Sequence, residues 1–148
     1  MKLSIALICA GIICAGGRTY YSKEQALQKV WGETEISSLK LSGRTFYTPS
    51  SGDDKSLVSF DTQKVKSKGQ TIMLNISADG TINEILLCKF DEPVRYKASP
   101  RFYQQFIGKS LKDDLRLKGD INGVSGATLT SKSTVASVKR ILTDHAQE

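Results

Sequence analysis

At 148 residues the chain is long enough for one domain with a real core and too short for two. An apolar share of 39% with 24% charged residues excludes wholesale disorder, and 21 Lys and Arg against 15 Asp and Glu leave a net charge of +6. That balance suits an anionic partner, but the basic residues are spread along the chain and no nucleic-acid motif accompanies them, so nucleic acid is not an expected partner.

Lys2 precedes the apolar run Leu3 to Ala15, and Ala15-Gly16-Gly17 supplies small residues just before Arg18. A basic head, a short apolar stretch and a small-residue cleavage region are the layout of a secretory signal, so residues 1–17 are expected to be a signal peptide. A short membrane anchor continuing to Tyr20 or Tyr21 is the alternative. Residues 18–148 then form the exported domain, at the outer face of the cytoplasmic membrane or in the periplasm. Of the three cysteines, Cys88 alone lies in that domain, which therefore cannot carry an internal disulfide. It sits in the apolar run Ile85-Leu86-Leu87-Cys88 and reads as a small buried hydrophobe. The single histidine, His145, falls in a polar C-terminal tail, and no Cys/His spacing suits a metal.

Ser22 with Gln25 three residues on makes a capping box, and Ala26, Leu27, Val30 and Trp31 make one apolar face, so a helix should run to about Trp31 and stop at Gly32. Residues 33–43 fit helix or strand equally well. Arg44 to Thr48 reads as a strand, Pro49 to Asp54 as a loop, and Leu57 to Phe60 as a second strand. Lys64, Lys66 and Lys68 alternate up to Gly69, which suits an exposed sheet edge guarded against pairing with other chains, with a phosphate or membrane site as the lesser alternative. Ile72, Leu74 and Ile76 alternate, Asp79-Gly80 makes a turn, and Thr81 to Cys88 returns, which predicts an antiparallel hairpin. Ser99-Pro100 opens a helix with Phe102, Phe106 and Ile107 on its apolar side, closed by Gly108. Leu111 to Asn122 is loop-like. A last helix from about Ser131 to Asp144 carries Val135, Val138, Ile141 and Leu142 on one stripe. The fold class is therefore α+β: an antiparallel sheet with a central hairpin, packed by helices, and a Gly-rich loop leading into the C-terminal helix.

That loop carries the chemistry. Asn122-Gly-Val-Ser-Gly-Ala-Thr-Leu-Thr-Ser131 places two glycines and four hydroxyl residues immediately before an amphipathic helix. Glycine lets the backbone approach an anion closely, and a helix start offers free N–H groups and partial positive charge. A phosphate seat fits these residues, and so does a simple turn with an N-cap. Neither the Gly-Lys-Ser/Thr of a P-loop nor the glycine spacing of a dinucleotide fingerprint is present.

The segment resembles the flavinylation motif of the FMN-binding domain family. That family includes the C subunit of the sodium-translocating NADH:quinone oxidoreductase and the G subunit of the Rnf electron-transport complex. Glu92-Pro93 and the stretch Arg101-Phe102-Tyr103-Gln104-Gln105-Phe106-Ile107-Gly108-Lys109 are similar to the family's segments between hairpin and motif. The resemblance implies FMN as cofactor, carried as a phosphodiester on Thr128 after modification by a flavin transferase. Ser125, Gly126, Ala127, Leu129 and Thr130 then form the immediate surround, with Lys109 as a further contact. It also implies an electron carrier exchanging electrons with membrane or periplasmic redox proteins, rather than an enzyme with its own substrate. Two rival readings are a reversible FMN-binding domain (a small flavin reductase among them) and an exported interaction domain without flavin. The family motif usually begins with Asp, where this chain has Asn122, and the Gly-rich stretch that follows Glu-Pro in the large complexes is missing here.

Overall fold

The computed structural model of the protein describes residues 18–147, so the leader expected at residues 1–17 lies outside the described residues. Ten antiparallel-sheet and helical elements follow in order: strand β1 (Arg18–Thr19), helix α1 (Lys23–Trp31), strands β2 (Ile36–Leu41), β3 (Arg44–Pro49), β4 (Leu57–Lys64), β5 (Gly69–Ile76) and β6 (Ile82–Phe90), a 3-10 turn (Val94–Tyr96), and helices α2 (Pro100–Gln104) and α3 (Thr128–His145). The six strands make one sheet in the order β1-β6-β5-β4-β3-β2, antiparallel throughout. The class is α+β, as the sequence predicts. No helix among the described residues is long and apolar enough to cross a membrane.

Local chemistry sets most boundaries. Ser22 and Gln25 form the reciprocal capping box, and Gly32, at φ +68°, ends α1 in a conformation that costs glycine little. The ambiguous stretch before Arg44 becomes β2 because it pairs along its whole length with β3. The β5–β6 hairpin turns at Asp79, whose carboxylate accepts from Thr81 N–H and Ser77 Oγ, with Gly80 at φ +88°. Register shifts opposite Cys88 and Asn83 bulge β6 and strengthen its twist.

Side-chain alternation along β5 divides the core in two. Ile72, Leu74 and Ile76 are fully buried on one face with Val138, Ile141 and Leu142 of α3 and Phe102 and Phe106 of α2, and half-buried Val135 packs at the rim. Met73 is buried on the other face with Val58, Cys88, and Ala26 and Leu27 of α1. The hairpin is thus clad by helices on both sides.

Three expectations are corrected. The lysine row does not guard an edge: Lys64 ends β4, and Lys66 and Lys68 lie in the tight turn to β5, an interior strand, while the edges are β1 and β2. The final helix starts at Thr128, three residues earlier than its apolar stripe suggests, because its first turn faces polar partners (below). His145 is not in a polar tail but closes α3, buried edge-to-face against Phe46. Cys88 is buried as expected, and burial pushes its thiol up to about 12.

Candidate functional site: the start of helix α3

The turn Val124 to Ala127 delivers the chain into α3. Ala127 N–H donates to Val124 C=O, and Gly126 takes φ +79°, where a Cβ would be strained. Gly123 does not use positive φ. Upstream, the Gln105 side chain clamps the backbone of Asn122 from both sides: its Oε1 accepts from Asn122 N–H (2.8 Å) and its Nε2 donates to Asn122 C=O (2.9 Å). This side-chain clamp works through the peptide groups, so it is blind to whether position 122 is Asn or Asp.

The N-cap of α3 is Ala127, which has no side chain able to cap. The first intrahelical bond of the series runs from Ser131 N–H to Ala127 C=O, and among the described residues no acceptor serves the N–H groups of Thr128, Leu129 and Thr130. These three consecutive donors sit at the positive end of an 18-residue helix, those of Thr128 and Leu129 on exposed residues and that of Thr130 on a buried one. Such an end accommodates a phosphate well.

The four hydroxyls of the segment divide sharply. Ser131 Oγ accepts from Val124 N–H (3.1 Å) and donates to Ala127 C=O (2.9 Å), which closes the turn from inside. Thr130, with no exposed surface, donates its hydroxyl to Tyr96 C=O. Both are spent on structure. Thr128 is exposed at the first residue of α3 with its hydroxyl uncommitted, and Ser125 is exposed in the turn. Leu129 presents a large apolar side chain to solvent, 47% exposed, while Ala127 is buried.

Beneath this first turn lies a buried polar knot. Gln70 Nε2 donates to Thr134 Oγ1 (2.8 Å) and reaches Thr130 C=O and Ser133 Oγ at 3.3 Å, and Tyr103 Oη donates to Gln70 Oε1 (3.2 Å). Burial pushes the Tyr103 phenol above its usual range, so it stays a donor. β5, α2 and α3 are tied together here, and the apolar stripe is displaced one turn further along the helix. Gln70 shares the inward parity of Ile72, Leu74 and Ile76, so a polar residue at a core position was a signal available in the sequence.

A strap from Asp91 to Ala98 holds the other side. Glu92 Oε1 accepts from three successive N–H groups of the β4–β5 turn, those of Lys66, Ser67 and Lys68, and from Ser67 Oγ. The N–H of Lys68 does most to hold this carboxyl below the usual glutamate range; burial opposes, and Ser67 and Lys66 reinforce. Four residues later Tyr96 gives its carbonyl to Thr130. Its ring lies between Arg95 (4.7 Å to the centroid) and Lys66 (5.8 Å), and the Arg95 bond to Oη holds the phenol below its usual value.

Lys109 is placed differently from the rest of the expected set. Its backbone joins β6 at Ile82, and its ammonium lies 3.7 Å from Asp120 in the loop leading to the motif. Burial alone would raise the Asp120 carboxyl, but N–H groups of Arg116 and Leu115, with Lys109, outweigh it and hold it low. Among the described residues no group of His, Cys, Asp and Glu could hold a metal ion.

No curated protein matches this chain. A family model described as FMN-binding domain matches residues 28–143, a span from α1 to the last turn of α3 that includes the whole turn, strap and helix start. The uncapped N–H groups, the positive-φ Gly126 and the free hydroxyl fit the phosphate end of such a cofactor. The chain belongs to the FMN-binding domain family, and FMN is its cofactor.

Proposed function

We propose that this protein is an exported electron carrier whose FMN is joined through its phosphate to Thr128 Oγ1. The observation that carries this reading is the division of hydroxyls at the start of α3. Thr130 and Ser131 are consumed by the fold, whereas Thr128 is exposed beside three unsatisfied N–H donors. Ser125 is exposed too, but it lies within the turn rather than at the helix start, and in the motif this segment resembles the acceptor directly follows Gly-Ala, here Gly126-Ala127. In the proposed modification a flavin transferase supplies FAD. The bond formed is Thr128 Oγ1–P, the bond broken is the pyrophosphate P–O bond, AMP leaves with the bridging oxygen, and a base on the transferase takes the hydroxyl proton. Within the finished protein the flavin supplies the redox chemistry, and the chain supplies attachment, position and electrostatic setting. The electron donor and acceptor are proposed to be separate membrane or periplasmic redox proteins.

Co-expression with an exported flavin transferase tests this. The wild type should gain the mass of one FMN less water and keep its fluorescence through acid precipitation and denaturing electrophoresis. Thr128→Ala should lose both signals with stability changed by less than about 0.5 kcal/mol, the range of surface substitutions. Thr130→Ala should keep the label and lose about 1 kcal/mol, because its hydroxyl bonds a backbone carbonyl. Covalent flavin on Thr128→Ala would move the acceptor to Ser125. Flavin that binds but is lost on acid precipitation would establish the reversible FMN-binding reading instead.

A further inference from the structure

The Tyr96–Thr130 bond brings two loops and a helix start to one end of the molecule, and the charges there that lack an ion-pair or buried hydrogen-bond partner are of one sign. Lys66 and Lys68 come from the β4–β5 turn, Arg95 and Lys97 from the strap, and Lys132 from α3, one turn after Thr128. None of the five forms an ion pair among the described residues. The two acidic residues nearby are already committed: Glu92 is buried on backbone N–H groups, and Asp91 pairs with Lys89 at 3.4 Å. Three of the cations are also pre-ordered on aromatic rings, Lys66 and Arg95 on Tyr96 and Lys97 on Tyr20 at 4.3 Å. The positive end of α3 adds to the same field.

Two of the four exposed large hydrophobic side chains among the described residues belong to this end. Val94 (52% exposed) stands two residues before Tyr96, and Leu129 (47% exposed) one residue before Thr130. Apolar side chains in the middle of unpaired charges are the composition of a protein-docking surface, with an apolar centre and a charged rim. We infer that this end docks an acidic protein surface, which brings a redox partner to the flavin. The inference rests on attachment at Thr128 only for its purpose; the surface itself is independent of it. An acidic protein suits the pre-ordered cations, whose geometry is fixed before the partner arrives. Long-range attraction to carboxylates would steer encounter and set orientation, while Val94 and Leu129 would supply the short-range contact.

Amide NMR titration of the flavin-free protein with a hexaglutamate peptide tests the surface without requiring flavinylation. Shifts should concentrate at Lys66, Lys68, Val94 to Lys97, and Leu129 to Lys132, and should fade as salt is raised through the range where the screening length falls below about 8 Å. Lys66→Glu combined with Arg95→Glu should weaken binding by roughly tenfold or more, since opposed charges become like charges. Lys68→Glu with Lys132→Glu, both exposed and free of ring contacts, repeats the test should the first pair fail to fold. Shifts scattered over the whole surface, or binding that survives both charge reversals, would overturn the inference. So would phosphatidylglycerol vesicles that sediment the protein and broaden these amides while the peptide leaves them unmoved, because the surface would then be a lipid-binding one. A Thr128→Ala protein that still binds the peptide separates the fate of the docking surface from that of the flavin site.

Discussion

Glu92 is a single carboxylate on which two loops depend. Its folded-state carboxyl is held below the ordinary glutamate value of 4.5, so its contribution to stability is fully present above that pH and is lost as the pH falls through the lowered value. Glu92→Gln should therefore lower the melting temperature by a constant amount at neutral pH, and the gap to wild type should close as thermal melts are taken below pH 4.5. A gap that stayed constant down to acid would mean that the carboxylate charge is not what the three N–H groups recognise. Some residues of the candidate site were legible in the sequence and others were not, for a definite reason. Thr128, Gly126 and Ala127 are contiguous, so a local motif exposes them. Gln70, Tyr96 and Tyr103 reach the site from β5, the strap and α2, and only the packed fold brings them within hydrogen-bond distance of α3. Position 122 shows a further limit: Gln105 grips its peptide groups, a contact no side-chain motif can encode.

Among the elements, the β5–β6 hairpin and α3 carry the larger core. Leu74 is fully buried between them, so Leu74→Ala should cost about 2–5 kcal/mol in denaturant unfolding, with the slope against denaturant unchanged. A second tie joins α3 to β4 and β3. Asp61 accepts from Ser137 Oγ at 2.8 Å and pairs with Arg44 at 3.0 Å, and Arg44 in turn pairs with Asp144 near the end of α3. Asp61→Ala leaves the Arg44 guanidinium and Ser137 hydroxyl short of a partner in a half-buried site. The expected loss is about 3 kcal/mol, the range for breaking one side of a buried pair. A loss near zero would show that Asp144 and water satisfy Arg44 without Asp61. Periodicity made these elements readable where one face is apolar, as in β5 and the later turns of α3. It failed where polar contacts replace apolar ones: the first turn of α3 faces Gln70 and Tyr96, so its hydrophobic stripe begins late and the helix looked three residues shorter. It failed also at β2, whose exposed, alternating side chains take strand form only because β3 lies alongside.

At the scale of the whole molecule, the antiparallel sheet acts as a plate clad on both sides, with the start of α3, the strap and the β4–β5 turn converging at one end. The sheet, its hairpin and its class follow from patterns a sequence displays openly. The convergence does not, because it depends on how far β4 and β5 extend before they turn, and on a strap with no periodicity at all. A long helix that opens on alanine begins with its donors unsatisfied, so the exposed amides of Thr128 and Leu129 should exchange freely until an anion arrives, although Thr130 and Ser131 pin the rest of the turn. Amide hydrogen exchange at Thr128 and Leu129 should be fast in the flavin-free protein and, if the proposed attachment at Thr128 holds, slow at least tenfold once the flavin is attached, with little change at Val138 to Leu142. Equal exchange in both forms would show that the turn closes unaided. If Thr128 is the attachment point proposed above, open donors before loading and sealed ones after would let a modifying enzyme sort its substrates: unfinished molecules present a free acceptor beside bare N–H groups, and finished ones no longer offer either.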